Sequence, residues 1–200
     1  MGHTTRSHEH PACAPLSAAQ AAALLDNARA LQRAEGNGDR PLPLRGKNLG
    51  LWCDDDRERS AALFRRAASE LGAHVAHIRP NLGEASSLHE LHDTARMLGR
   101  LYDAVECQGL PAALVERLAA EAEVPVFDGI ALPQHPTALL AGQLDGDSEA
   151  DDRRCWLLQA ALVAAGGGEA ERAAQPAGLL ASSKAATALA ADIIDGPPPM

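Results

Sequence analysis

The sequence predicts an α/β domain: a three-layer sandwich with a central parallel sheet of about four to five strands flanked by helices. Three observations carry that expectation. Short apolar runs at 48–53, 74–78, 104–107 and 124–127 alternate with helix-patterned segments of about 10–14 residues. Strands joined through helices in this way pair in parallel, because a parallel crossover needs such a connection. And 200 residues at 46% hydrophobic content suffice for one core. Only two Trp, one Tyr and two Phe are available, so that core is expected to be built from Leu, Val and Ala.

The elements follow in order. Residues 1–15 (MGHTTRSHEHPACAP) are polar and read as a disordered arm. His3, His8, His10 and Cys13 lie in it, and no second ligand cluster turns them into a metal site. Ser17 is placed to cap a helix whose Leu24, Leu25, Ala28 and Leu31 share one face. After a loop at 35–46, NLGLWC (48–53) is the first strand. Residues 59–71 form an amphipathic helix that Gly72 stops. HVAHI (74–78) is the second strand, and its His74 and His77, three apart, point to opposite faces. A loop at 81–87 leads into a helix over 88–101, where His89 and His92 form a solvated face and Asp93 and Arg96 make local contacts. The third strand, 104–107, precedes a helix at 111–122 with Pro111 in its first turn. VPVF (124–127) is the fourth strand, and another helix starts at 136–144 behind His135. An apolar helix at 149–165 carries Trp156, a core anchor whose indole N–H needs a partner. From residue 166 the chain is Ala/Gly-rich and reads as a mostly disordered, low-complexity tail to 200. The expected organisation is thus an arm (1–15), a domain (16–165) and a tail (166–200).

Composition excludes several functions. A formal net charge of −9, with Lys47 and Lys184 the only lysines, argues against nucleic acid or an anionic membrane as partner. No run of 18 apolar residues and no export signal is found, so a cytoplasmic location is expected. Cys13, Cys53, Cys107 and Cys155 show no CxxC spacing, which points to reduced structural thiols. Cys53 has no base near it in sequence to make it a nucleophile.

The loop after the first strand is unusual. In LWCDDDRERSAALF (51–64) the chain passes from strand to helix, where free N–H groups and a partial positive charge commonly hold phosphate. Here Asp54, Asp55, Asp56 and Glu58 outnumber Arg57 and Arg59. Like charges about 4 Å apart repel by about 1 kcal/mol even in water. A phosphate dianion is therefore expected to be redundant or repelled, with the chain's own carboxylates supplying the negative charge that the helix start attracts.

Several segments carry a resemblance. LRGKNLGLW, LGAHV, HDTARMLGRLYDAV and EVPVFDGIALPQHPTALLAGQL occur in an order similar to the carbamoyl-phosphate-binding half of ornithine and aspartate carbamoyltransferases, the ornithine type especially. The likeness runs from about Leu16 to Leu144, and is most specific at Asp93-Thr94-Ala95-Arg96, Val124-Pro125-Val126…Gly129 and His135-Pro136-Thr137. It implies that phosphate would be held on a Ser-Thr-Arg-Thr-Arg turn, while a further Arg, a His and a Gln polarise the carbamoyl carbonyl. That turn falls on Arg57-Glu58-Arg59-Ser60-Ala61. Arg59 takes the place of the principal phosphate-binding arginine and Ser60 replaces threonine. Arg57 and Glu58 stand for hydroxyls, and Ala61 for the closing arginine. Gln108 falls on the carbonyl-polarising arginine, His135 matches the family histidine, and the glutamine position is Ala138.

What the resemblance implies is a degenerate carbamoyl phosphate cradle of Arg57, Arg59, Ser60, Gln108 and His135, with His135 and Arg59 catalytic only if the protein is active. It implies no metal and no cofactor. The family's amino-acid-binding domain is not recognised after Leu144. Instead, residues 149–163 resemble the family's final helix, which returns from that domain, as if the second domain were cut out and the closing helix retained. The expected protein is an ornithine carbamoyltransferase-like chain reduced to its carbamoyl-phosphate domain, a pseudoenzyme acting as a structural or regulatory subunit. It would bind carbamoyl phosphate weakly and assemble as a homotrimer, or as a hetero-oligomer with a full-length carbamoyltransferase. Two alternatives stand: a carbamoyl-phosphate-binding component completed by a partner chain, and a binder of a cationic or neutral small molecule at the acidic loop.

Overall fold

The computed structural model describes residues 16–79, 82, 86–144, 146 and 148–166. The helices are α1 (Ala18–Gly36), α2 (Arg59–Glu70), α3 (Leu88–Leu101), α4 (Ala112–Glu121), α5 (Pro136–Leu139) and α6 (Ala150–Gly166). The strands are β1 (Asn48–Trp52), β2 (His74–Ile78), β3 (Ala104–Cys107) and β4 (Val126–Asp128). All strand pairs are parallel, in the order β2-β1-β3-β4. The expected fold class is observed, with four strands among the described residues. The arm at 1–15 and most of the tail lie outside them.

Strand alternation sorts the core into two layers. Leu49, Leu51 and Cys53 of the β1 segment face a cluster with α1, α2 and α6, whereas Trp52 faces a second cluster with α3 and α4. β4 does the same, Phe127 joining the first cluster and Val126 the second. In β3, Ala104 belongs to the first layer and Val105 and Cys107 to the second. Parity therefore puts Glu106 on the α1/α2/α6 face, in register between Leu51 and Phe127.

Local chemistry sets the helix ends. Ser17 accepts from the Gln20 N–H while the Gln20 side chain returns to the Ser17 N–H, and Ser87 with Glu90 repeats this capping box on α3. Gly72 leaves α2 at φ +88, with space for a Cβ limited by Leu42 Cβ at 3.1 Å. Two expected elements differ. β4 starts at Val126 rather than Val124, because Pro125 has no N–H to donate and contributes only its carbonyl, to Val105. The helix behind His135 spans four residues and tightens into a 3₁₀ turn at Leu140–Gln143.

α6 is buried from Cys155 to Leu162 on every side, packed against α1, α2, α5 and the 3₁₀ turn at Leu140–Gln143. The Trp156 indole N–H donates to Glu35 Oε2 of α1 at 2.8 Å, which supplies the partner its burial demands. Gln159 donates to Glu70 Oε2 of α2 at 2.7 Å. Cys53, Cys107 and Cys155 are free and buried. No described helix is long and apolar enough to cross a membrane. Among the described residues no three His, Cys, Asp or Glu side chains form a metal-holding group. His89 pairs with Asp93 of its own helix and His92 with Glu121 of α4.

Candidate functional site

In an open parallel sheet a ligand crevice forms at the carboxyl ends of adjacent strands whose connections leave in opposite directions. Here those strands are β1 and β3, since the chain leaves β1 toward β2 on one side and takes up β3 on the other. The β1–α2 loop (53–58) and the residues after β3 flank the crevice, and the segment after β4 adjoins it. The residues singled out in the sequence lie on these loops or in the first turn of α2.

Two of them meet across the crevice. Ser60, in the first turn of α2, hydrogen-bonds through Oγ to Gln108 Oε1 at 3.1 Å, both side chains being buried. Gln108 is pinned there by its own N–H, which donates to Trp52 O at the end of β1. Its amide Nε2 donates to Glu106 Oε1 at 3.1 Å. Glu106, with no exposed surface, also accepts from the Ile130 and Ala131 N–H groups at 3.2 and 3.3 Å. Burial pushes its carboxyl up to about 8, against the opposing effect of those three donors. A proton on Glu106 reverses the chain: its O–H then donates to the Gln108 amide oxygen, and the Gln108 NH₂ to Ser60. In either polarity the Ser60–Gln108 bond spans the crevice.

His135 stands at the N-cap of α5 and is 3% exposed. Its Nδ1 accepts from the Thr137 N–H at 3.2 Å and lies 2.8 Å from the Thr137 hydroxyl, which reaches Ile130 O at 3.3 Å. Burial pushes the imidazole down to about 4, so the ring is neutral at pH 7. A neutral ring offers no charge to an anion. Beside it, a small cavity is lined by Ile130, Thr137, Ala138, Arg154, Leu157 and Leu158. Arg154 of α6 donates to Ala131 O at 2.6 Å and closes this side.

The two arginines are placed differently. Arg59, the first residue of α2, has a side chain 77% exposed and turns to α6, where Nη2 and Nε lie 2.8 and 3.2 Å from Asp151 Oδ2. Arg57 is exposed, and its backbone N–H donates to Asp55 Oδ1 at 2.9 Å in a local turn. Neither joins the buried Ser60–Gln108–Glu106 chain. The loop carboxylates do not cap α2 in the expected way: Glu58 at the N-cap makes no side-chain bond to the helix, and Asp56 goes to Arg65 at 2.9 Å. Negative charge reaches the start of α2 instead from Asp151, ninety-two residues on.

Sequence reasoning missed Glu106, Thr137, Asp151 and Arg154. A carboxylate inside the four-residue run AVEC was a usable signal for the first. Thr137 follows His135-Pro136 as a hydroxyl within reach of the ring. The other two depend on how α6 docks and leave no local mark.

Residues 12–144 match the family described as aspartate/ornithine carbamoyltransferase, carbamoyl-P binding domain. The ornithine carbamoyltransferase of Actinobacillus pleuropneumoniae serotype 5b is 41% identical over 121 residues, 60% of this chain and 36% of that protein. Among solved structures, ornithine carbamoyltransferase from Pyrococcus furiosus superposes with a TM-score of 0.53 at 26% identity, covering 66% of this chain and 44% of that one. A mitochondrial ornithine carbamoyltransferase from Coccidioides immitis gives 0.55 at 18% identity, covering 71% of this chain and 47% of its own, a likeness of fold. The chain thus spans between about a third and a half of the length of these relatives.

Proposed function

The chain belongs to the aspartate/ornithine carbamoyltransferase family through its carbamoyl-phosphate binding domain, and from that premise we propose that it is a catalytically degenerate member acting through its fold, as a structural or regulatory subunit. One observation carries the reading: the hydrogen bond between Ser60 and Gln108 bridges the crevice that a carbamoyl phosphate would have to enter. The polar groups that would hold the ligand satisfy one another instead. Gln108, on the position of a polarising arginine, carries no charge, and His135 is neutral, so among the described residues no buried cation balances a dianion in the crevice.

α6 supports the same reading. It seals the His135 side through Arg154 and buries its apolar length against α1 and α2, the task of a closing helix retained on this domain. We take 16–165 as the folded unit, cytoplasmic, and its assembly as a homotrimer or a mixed oligomer with a full-length carbamoyltransferase. The exposed Met97 and Leu101, four residues apart on one side of α3, suit such an assembly face. The test is turnover: with carbamoyl phosphate and ornithine, no citrulline should form above background, and steady citrulline production would overturn the proposal.

A second reading has one observation in its favour. His135, at the position of the family's histidine, stays buried and neutral beside the small cavity, as a binding component completed by a partner chain would require. Carbamoyl phosphate at 100 times its Kd would then stabilise the protein by about 2.7 kcal/mol in a thermal-shift titration.

A further inference from the structure

We propose that Asp151 is the specificity-determining residue of the α2 anion seat, an intramolecular carboxylate that occupies Arg59 and thereby excludes phosphoryl dianions. The inference rests on the reading above only in placing the family's phosphate seat at Arg59.

The start of α2 attracts an anion through its unpaired N–H groups and helix dipole, and Arg59 is the first residue of that helix. A cation at a helix N-terminus is itself unfavourable without a counter-charge. Asp151 supplies it. Its Oδ2 accepts from both Nη2 and Nε of Arg59, at 2.8 and 3.2 Å, so one carboxylate oxygen is shared by two guanidinium N–H groups. Asp151 is also well held, because it stands in the first turn of α6, where a carboxylate favours that helix's own dipole. The buried residues Trp156, Leu157, Leu158 and Leu162 fix the helix behind it.

The neighbouring pair separates this role from that of a strut. One residue on, Asp152 Oδ1 meets Arg66 Nη1 at 2.8 Å, and Arg66 is already held by Glu70 at 2.9 Å. That contact ties α6 to the middle of α2, away from the crevice. Asp151 instead meets the α2 residue that matches the phosphate-binding position. Exposure keeps its bond exchangeable: with Arg59 77% and Asp151 35% exposed, the pair is a competitor for the seat rather than a permanent lock.

The experiment uses the full chain and three probes: carbamoyl phosphate, inorganic phosphate and pyrophosphate, titrated by calorimetry at low ionic strength. Asp151→Asn is expected to bind at least one probe about tenfold or more tighter than wild type, since it removes a competitor and a repelling charge together. The gain should vanish in Asp151→Asn/Arg59→Gln, and Asp152→Asn should bind like wild type. Asp151→Ala repeats the reading with a good helix former, and circular dichroism checks that each variant is folded. The inference fails if Asp151→Asn and Asp151→Ala bind no tighter than wild type, if the gain survives loss of Arg59, or if Asp152→Asn gains equally. Citrulline formation by the wild type would overturn the proposed function and leave this comparison of affinities unaffected. Equal affinities in a chain without turnover would overturn this inference alone.

Discussion

Two buried groups give the protein an unusual dependence of stability on pH. Glu106 is held as the neutral acid to about 8, against an ordinary 4.5, and His135 as the neutral base to about 4, against 6.5. Between pH 4.5 and 8 the unfolded chain has lost the Glu106 proton that the folded chain keeps, so stability falls as pH rises, by about 1.4 kcal/mol per unit. For His135 the sign is opposite. Between pH 4 and 6.5 the unfolded chain binds a proton that the folded chain refuses, and stability rises with pH at the same slope. Where the windows overlap, from 4.5 to 6.5, the two slopes cancel. From 6.5 to 8 Glu106 alone sets the slope, giving a loss on the order of 2 kcal/mol, and from about pH 9 the buried thiols of Cys53, Cys107 and Cys155, all pushed up by burial, add a further decline. Urea unfolding followed by circular dichroism from pH 5 to 9 reads this directly. Glu106→Gln should remove the loss above 6.5, because its amide can donate to Gln108 while its carbonyl accepts from Ile130 and Ala131. The same variant should expose the His135 slope alone, with stability rising from pH 5 to 6.5. A wild-type curve flat between 6.5 and 8, or a Glu106→Gln curve with the same decline, would refute the assignment of that proton to Glu106.

Two further outcomes follow from packing. Gly72→Ala should cost about 1–2 kcal/mol in the same unfolding assay, because φ +88 strains any L side chain and the new Cβ would meet Leu42 Cβ at 3.1 Å and Arg45 Cα at 3.3 Å. Trp156→Phe should cost about 1 kcal/mol by removing the donor to Glu35, and Trp156→Ala about 3–5 kcal/mol by also emptying a buried site, both read from urea midpoints.

Most of the fold was legible because its signals are local. The alternation in NLGLW puts Leu49 and Leu51 on one face and Trp52 on the other; Ser17 announces α1; Gly72 ends α2. The site was legible only in part. Ser60, Gln108 and His135 could be singled out one by one, and the topology brings Ser60 to Gln108. The direction of Arg59 was not readable, because its partner lies 92 residues away on a helix whose docking is set by its apolar face. Nor was the state of Glu106. A carboxylate in a short strand is stable there only when two later N–H groups and an amide turn toward it, and no periodicity encodes that.

The same bonds explain how a ligand crevice can close while its fold persists. A buried polar group must be satisfied by ligand, water or chain, and leaving one bare costs about 1–3 kcal/mol. A phosphate entering here would first have to part Ser60 from Gln108 and then replace Asp151 on Arg59. The first step gives up a net bond of about 1 kcal/mol and strips one side of a buried amide. A millimolar ligand has only about 4 kcal/mol of binding free energy in all. Reorganisation of about 1–3 kcal/mol takes a large share of it, and no buried cation among the described residues restores the balance. Protonation of Glu106 softens the first step, since it leaves the Ser60 proton free to point outward. It does nothing for the second, so the exposed Asp151–Arg59 pair still competes with an anion after the bond across the crevice has parted.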